Sequence, residues 1–246
     1  MKKTLITIFL LLVSNLTYAA CEDLTPYGAP RALQETTTLC RKSYTVEYLE
    51  HCKTPLVVTQ HLTSSNFGGT VPRTGSFRAD PGVVSKATLK SYEGRKVAGY
   101  DIGHLAPAED FRSDAQAMRE SFLLTNTVPQ NYSLNRGVWR ELEERTRGLA
   151  VRQSDVYVIT GTIYSADVPK FNDVCVPAKL FKVIIDVRNN QSIGYLIPNS
   201  GTVVGHKLKE FIKPISVIEK EAGINLLPNL PRDKESIKTL IGPDLL

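Results

Sequence analysis

The chain has 246 residues, and its 30 Lys and Arg against 25 Asp and Glu leave a formal net charge of +5 at pH 7. That length can bury a full hydrophobic core, and one domain is the expectation. The charge excess is mild: it permits an anionic partner without arguing for one.

The first twenty residues read as a segment outside the fold. Met1-Lys2-Lys3 supplies a positive start, Leu5 to Val13 is an apolar run interrupted only by Thr7, and Thr17-Tyr18-Ala19-Ala20 offers small residues for cleavage. That order is expected of a secretory signal peptide, and the run is short for a bilayer span. Cleavage would remove Lys2 and Lys3, leaving 28 basic against 25 acidic side chains, a net charge of +3. No later stretch is long and apolar enough for a membrane span, so the mature protein is expected to be soluble, in the periplasm or secreted. Residues 21–246 are expected to form a single domain, with 21–40 as an amino-terminal arm.

Four cysteines, Cys21, Cys40, Cys52 and Cys175, follow the signal segment. An even count in an oxidising compartment points to disulfides. Of the three possible connectivities, Cys21–Cys40 with Cys52–Cys175 is expected: the first staples the arm, the second ties an early strand to a late one. No Cys-x-x-Cys or His-x-x-x-His spacing supports zinc.

Tyr44, Val46 and Tyr48 alternate with polar neighbours, which predicts a half-buried strand, and Thr54 to Leu62 predicts a second. Residues 63–84 carry Ser, Asn, Gly and Pro clusters and read as loop. Leu134 to about Val151 predicts a helix with Ser133 as its N-cap, an apolar stripe of Val138, Trp139, Leu142 and Leu149, and Gly137 as a mild fault. Asp155 to Ile163 and Leu180 to Val187 predict strands, and Ser192 to Ile197 returns after the turn at 188–191. Ser216 and Glu219 have capping-box spacing before a short helix that Gly223 would end. Several antiparallel strands with a few helices make the fold class α+β.

Among the four histidines, His51 is expected to be exposed, His61 structural within a strand, and His206 a surface or capping residue. His104 differs. It ends the segment Tyr-Asp-Ile-Gly-His (100–104), follows Gly103 and precedes Leu-Ala-Pro-Ala. A glycine there allows close approach of backbone and ligand, and Ala106 before Pro107 is biased to extended geometry, so His104 is expected at a strand-to-loop corner. A structural histidine is the alternative reading. Asp101 could orient His104 or stabilise a turn.

Gly-His-Leu-Ala-Pro-Ala (103–108) is followed by the run 121–130 and then by Leu134-Asn135-Arg136-Gly137-Val138-Trp139-Arg140-Glu141-Leu142-Glu143. Together these resemble the DNA/RNA non-specific endonuclease family, the ββα-metal nucleases. Phe77-Arg-Ala-Asp80, Lys182-Val-Ile-Ile-Asp186 and Val217 to Gly223 resemble further family segments, so the likeness runs over roughly residues 40–230 and is specific as an ordered set. It implies a ββα-metal nuclease fold with a central antiparallel sheet flanked by helices, and hydrolysis of phosphodiester bonds in DNA and RNA. His104 matches the general base, Asn135 the single side chain on a divalent metal, Mg²⁺ or alternatively Mn²⁺, and Glu143 an acidic residue holding metal-bound water. Arg147 matches a phosphate-stabilising arginine, Arg73 a second one. Arg136 joins Arg73 as an expected substrate-binding residue.

Residue chemistry is compatible with these roles. A hard ion such as Mg²⁺ keeps several waters, so one amide oxygen suffices as its protein contact. On one helix, Asn135 and Glu143 would be separated by about 12 Å of rise and about 80° of rotation, which favours water between Glu143 and the ion. Arg147 lies one turn beyond Glu143 and could pair with it. Without the resemblance, Asn135 could be only a helix-start residue, and Glu143 with Arg147 only a solvated pair. One residue departs from the family pattern, which usually reads Asp-Arg-Gly-His: Ile102 stands in place of the arginine, with Arg95, Lys96 and Arg136 as basic residues that could compensate. The alternative function is therefore a catalytically weakened, nuclease-like nucleic-acid-binding protein.

Overall fold

A computed structural model describes residues 21–238; the expected signal segment, residues 1–20, lies outside them, as do residues 239–246. The early strands are β1 (Arg31–Ala32), β2 (Thr37–Cys40), β3 (Thr45–Leu49), β4 (Thr54–Leu62), β5 (Tyr100–His104) and β6 (Thr127–Asn131). The later ones are β7 (Val156–Ile163), β8 (Lys170–Phe171), β9 (Val174–Cys175), β10 (Lys179–Asp186), β11 (Gln191–Pro198), β12 (Ile212–Lys213) and β13 (Ile224–Asn225). The α-helices are α1 (Ala115–Ser121), α2 (Tyr132–Arg136), α3 (Val138–Gln153) and α4 (Ile215–Ala222). Seven strands form an antiparallel sheet in the order β12-β11-β10-β7-β4-β3-β2. The architecture is α+β, with a central antiparallel sheet and helices on its faces.

Both faces of that sheet are covered, which is why β7 and β10 read as nearly continuous apolar runs. Val156, Val158, Leu180 and Ile184 join Trp139, Leu142 and Leu149 of α3 in one core. The alternate residues Tyr157, Ile159, Phe181, Val183 and Ile185 pack with Ile215 and Ile218 of α4 in the other. Each fully buried side chain of this size contributes roughly 1.5–3 kcal/mol. Strand alternation also places Lys182 with Leu180 and Ile184, on the α3 face, where it is buried.

A second pairing positions the site. Strands β5 and β6 form a separate antiparallel pair, with His104 opposite Thr127 and Ile102 opposite Pro129. Pro129 hides β6 from a sequence reading, but a two-stranded pair has edges that need no N–H. Along the chain α1 lies between β5 and β6, and β6 runs straight into α2, so the strand pair leads directly into a helix.

The long helix expected from Leu134 onward is two helices. Residue Asn131, not Ser133, caps α2: its side chain accepts from the Ser133 N–H at 3.0 Å. Gly137 then separates α2 from α3, and a Cβ there would lie 2.4 Å from the Ser133 carbonyl oxygen. The break voids the one-helix spacing between Asn135 and Glu143. The expected stripe of α3 is buried.

The capping box at Ser216 does not form either. Pro214 is the N-cap of α4 and makes no side-chain cap bond, while Glu219 instead accepts from the Leu226 N–H at 2.9 Å. Gly223 does end the helix, in a left-handed conformation. The arm is not wholly loop: β1 pairs with β13, and β2 is the sheet's edge strand. Both expected disulfides are present, with Cα separations of 5.7 Å for Cys21–Cys40 and 4.9 Å for Cys52–Cys175.

Gly137→Ala is expected to destabilise the protein by about 1–3 kcal/mol in urea unfolding, because the added methyl collides with backbone, despite the higher helix propensity of alanine. A stabilised variant would show that the break is unimportant.

Candidate active site

One cavity of about 540 Å³ lies between β5, α2, α3 and the loop that precedes them. It is lined by all six residues expected from the sequence: Arg73, His104, Asn135, Arg136, Glu143 and Arg147. Arg95, Ile102 and Arg140 line it too.

His104 ends β5 at the expected corner. Asn126 clamps the chain beyond it, accepting from the Ala106 N–H and donating to the Ala106 and Ser121 carbonyls, each at 2.9 Å. The imidazole packs against Phe77 and Phe122, at centroid distances of 5.0 and 5.2 Å. Its Nε2 is buried and makes no hydrogen bond to the described residues. Burial, helped by the charge of Arg73, pulls its pKa down to about 3. The ring is therefore neutral at ordinary pH, with lone-pair capacity unspent. Gly103 serves a neighbour rather than a ligand: a Cβ there would strike the side chain of Gln130 on β6.

Asp101 neither orients His104 nor merely shapes a turn. Its carboxylate accepts from Asn135 Nδ2 at 2.9 Å and from Arg136 Nε and Nη2 at 2.8 and 2.7 Å. Burial opposes its charge, but the hydrogen bonds from Arg136 and Asn135 prevail and hold its pKa below the usual aspartate value. With the amide nitrogen of Asn135 so engaged, its carbonyl oxygen is the end left to accept a cation. That orientation fits a hard divalent ion, which takes oxygen ligands. Among the described residues no group of three His, Cys, Asp or Glu side chains is arranged to hold a metal.

Glu143 and Arg147 are not a solvated pair. Arg147 Nη1 meets the buried carboxylate of Asp110 at 3.1 Å, and Gln60 Nε2 donates to the same group at 3.1 Å. Burial pushes the Glu143 pKa up and that of the facing Lys182 down, each charge partly offsetting the cost of the other. Lys182 also donates to Thr160 Oγ1 at 2.6 Å and lies 5.1 Å from the Trp139 ring centroid. Asp110 and Lys182 are the charged neighbours of the site missed from the sequence. The charged residue inside an apolar strand run was the signal available for Lys182.

Ile102 is buried among Ala87, Tyr92, Leu124 and Val174 while touching the cavity edge. Arg73 stacks over Phe122 at 5.7 Å and pairs with Glu109 at 3.4 Å. Among the other histidines, His61 bridges the Asp23 carbonyl and Asp155 within β4. His206 pairs with Glu210 at the surface, and His51 is exposed.

A strand pair running into a helix, with a neutral histidine sharing one cavity with an oriented amide and a half-buried arginine, defines the ββα-metal class of fold. The profile of the DNA/RNA non-specific endonuclease family matches residues 22–233, and the chain belongs to that family. It is 32% identical over 212 residues to mitochondrial nuclease EXOG of Danio rerio, covering 79% of this chain and 62% of that protein. Mitochondrial endonuclease G of Homo sapiens is 31% identical over 236 residues, covering 89% and 77%. Nuclease C1 of Cunninghamella echinulata var. echinulata is 30% identical over 239 residues, covering 89% and 91%. The match spans only 59–62% of the length of the EXOG nucleases of Danio rerio, Xenopus laevis and Mus musculus. The crystal structure of the EndoG/EndoGI complex contains a chain that superposes with a TM-score of 0.77 at 26% identity, covering 87% of this chain and 94% of that one.

The depressed histidine has a stability consequence. Between pH 6.5 and about 3 the unfolded chain protonates His104 while the folded chain does not. Stability contributed by the neutral ring is thus complete above 6.5 and lost as pH falls towards 3. Relative to His104→Gln, the metal-free wild type is expected to lose stability below pH 6.5 by at most ~1.4 kcal/mol per pH unit. Parallel unfolding curves for the two proteins down to pH 4 would contradict the shift.

Proposed function

We propose that the chain is an exported, divalent-metal-dependent endonuclease that hydrolyses phosphodiester bonds in DNA and RNA. The observation that carries the reading is the convergence of His104, Asn135, Glu143 and Arg147 on one cavity, with Asp101 turning the amide of Asn135. Family membership and the nuclease names of the relatives support it. Export is supported by the charged, apolar and small-residue order of residues 1–20 and by two disulfides. Its destination is the periplasm or the extracellular space.

Neutral His104 is the general base. It takes a proton from water, the water oxygen bonds to phosphorus, the bond from phosphorus to the 3′ oxygen breaks, and that oxygen takes a proton from a second water, leaving 5′-phosphate and 3′-hydroxyl ends. A base must be unprotonated to act, and burial keeps the ring so, while the same downward shift makes it a weaker proton acceptor than an ordinary histidine. Asn135 would hold Mg²⁺ directly through its amide oxygen, or Mn²⁺ in its place, with Glu143 contributing through its hydration layer. When bound, the ion would supply positive charge that stabilises the transition state at the phosphate. Arg147 is the transition-state cation, held in place by Asp110. Arg73 and Arg136 contact substrate at the rim. Contacts of this kind go to phosphate and carry no direct sequence information, so little base preference is expected.

Purified protein with Mg²⁺ or Mn²⁺ is expected to cut plasmid DNA and RNA on gels, and a chelator to stop it. His104→Ala and Asn135→Ala should each lose at least ~100-fold in rate while remaining folded. Cleavage surviving both substitutions would sink the assignment. Asp101→Ala should weaken metal affinity by roughly 10–100-fold, as removal of a ligand-orienting partner does, measured by titrating activity against Mg²⁺. An unchanged metal requirement would assign Asp101 to folding alone.

A further inference from the structure

Among the described residues five arginines line the cavity: Arg73, Arg95, Arg136, Arg140 and Arg147. Four of them have a carboxylate partner: Glu109 at 3.4 Å for Arg73, Asp101 at 2.7 Å for Arg136, Glu144 at 3.8 Å for Arg140 and Asp110 at 3.1 Å for Arg147. Arg95 has none in ion-pair contact among the described residues; its guanidinium spends one bond on a backbone carbonyl, from Nη1 to Tyr92 O at 3.1 Å. An arginine carries five N–H donors, so most of its fork is uncommitted. A cation that faces a cavity without internal neutralisation is the one best placed to receive an external anion.

The loop that carries Arg95 is built to hold it there. Residues 94–99 lie between Gly94 and Gly99, at φ +82° and +84°, where other residues would be strained. The loop is closed by Tyr100 N–H to Arg95 O at 2.9 Å and Gly99 N–H to Lys96 O at 3.2 Å. Helix α2 fastens it from the far side, through Tyr132 N–H to Gly99 O at 2.9 Å and Tyr132 Oη to Lys96 O at 3.2 Å. Tyr92, which anchors the guanidinium, is wholly buried. The two other basic candidates in this region are differently placed: Lys96 is exposed and does not line the cavity, and Arg136 is held by both oxygens of Asp101.

Arg73 is the arginine whose charge reaches His104, whereas the charge of Arg95 is felt at Asp101, beside Asn135. Arg95 thus shares the cavity wall with Asn135, whose amide that carboxylate holds. We infer that Arg95 binds a backbone phosphate next to the one attacked, as a substrate clamp supplied by the loop at 94–99. This rests on the nuclease reading for its substrate, a polynucleotide. The clamp also supplies positive charge beside a strand whose third residue, Ile102, carries none.

The test measures binding and cleavage separately. Binding of a fluorescein-labelled DNA duplex to His104→Ala protein with Mg²⁺ is followed from 50 to 300 mM salt, with and without Arg95→Gln. Losing one phosphate contact should lower the slope of log K against log salt by about 0.9 and weaken binding roughly tenfold. In cleavage by otherwise wild-type enzyme, Arg95→Gln should raise KM roughly tenfold with kcat changed much less. Arg95→Lys keeps the charge but loses the fork, so its slope should stay while KM rises by a smaller factor. A merely structural arginine would instead lower Tm and kcat together and leave the slope intact. An unchanged slope and KM in folded Arg95→Gln would overturn the clamp; should that variant not fold, an unchanged KM in Arg95→Lys would do so. If wild type cuts no nucleic acid but the slope still falls, the clamp stands and the nuclease reading fails.

Discussion

The carboxylate of Asp101 joins the two halves of the site. It sits on β5, three residues before His104, and it accepts hydrogen bonds from two consecutive residues of α2, Asn135 and Arg136. Charge-assisted bonds of this geometry are the stronger kind. One of them turns an amide, and the other two hold an arginine that also lies 4.0 Å from the Tyr132 ring centroid. His104 and Asn135 are thus set by one short stretch of strand. The break at Gly137 belongs to the same constraint: it ends α2 after Arg136 and lets α3 leave on its own axis.

Beneath that layer lies a balanced set of charges. Asp110 and Glu143 contribute two negative groups; Arg147 and Lys182 contribute two positive ones. They come from a loop, from α3 and from the central sheet. Removing one partner would leave an uncompensated buried charge, which is costly, so each holds the others in place. Polar Gln60 and Thr160 of the sheet satisfy part of the remaining hydrogen-bond capacity. Arg147 and Glu143 are therefore held against the sheet while lining the cavity. Pulling the Glu143 and Lys182 pKa values towards each other is a consequence of this shared burial, with Coulombic attraction acting against it.

Much of this was legible in the order of residues. His104, Asn135, Glu143 and Arg147 stand in segments whose spacing is specific, and the apolar runs of β4, β7 and β10 follow directly from side-chain period and burial. The two disulfide pairings were also legible. Less so were β6, whose Pro129 contradicts a strand reading, and the caps: Asn131 replaces Ser133, and Pro214 replaces the Ser216 capping box. Local cap preferences are worth about 1 kcal/mol, and tertiary packing of α4 or of the strand-to-helix corner outweighs them.

The sequence by itself determined which residues could carry chemistry: a histidine after glycine, an asparagine in a short helix and an acid and arginine one turn apart, in a chain with four cysteines that pair. Only the tertiary structure decided the partners. Asp101 goes to Asn135 and Arg136 rather than His104, Arg147 to Asp110 rather than Glu143, and Arg95 lines the cavity with no carboxylate in ion-pair contact among the described residues. The physical reason is that helical spacing ranks neighbours along one element, whereas a buried charge takes the nearest opposite charge in space, and that partner came from another part of the chain each time.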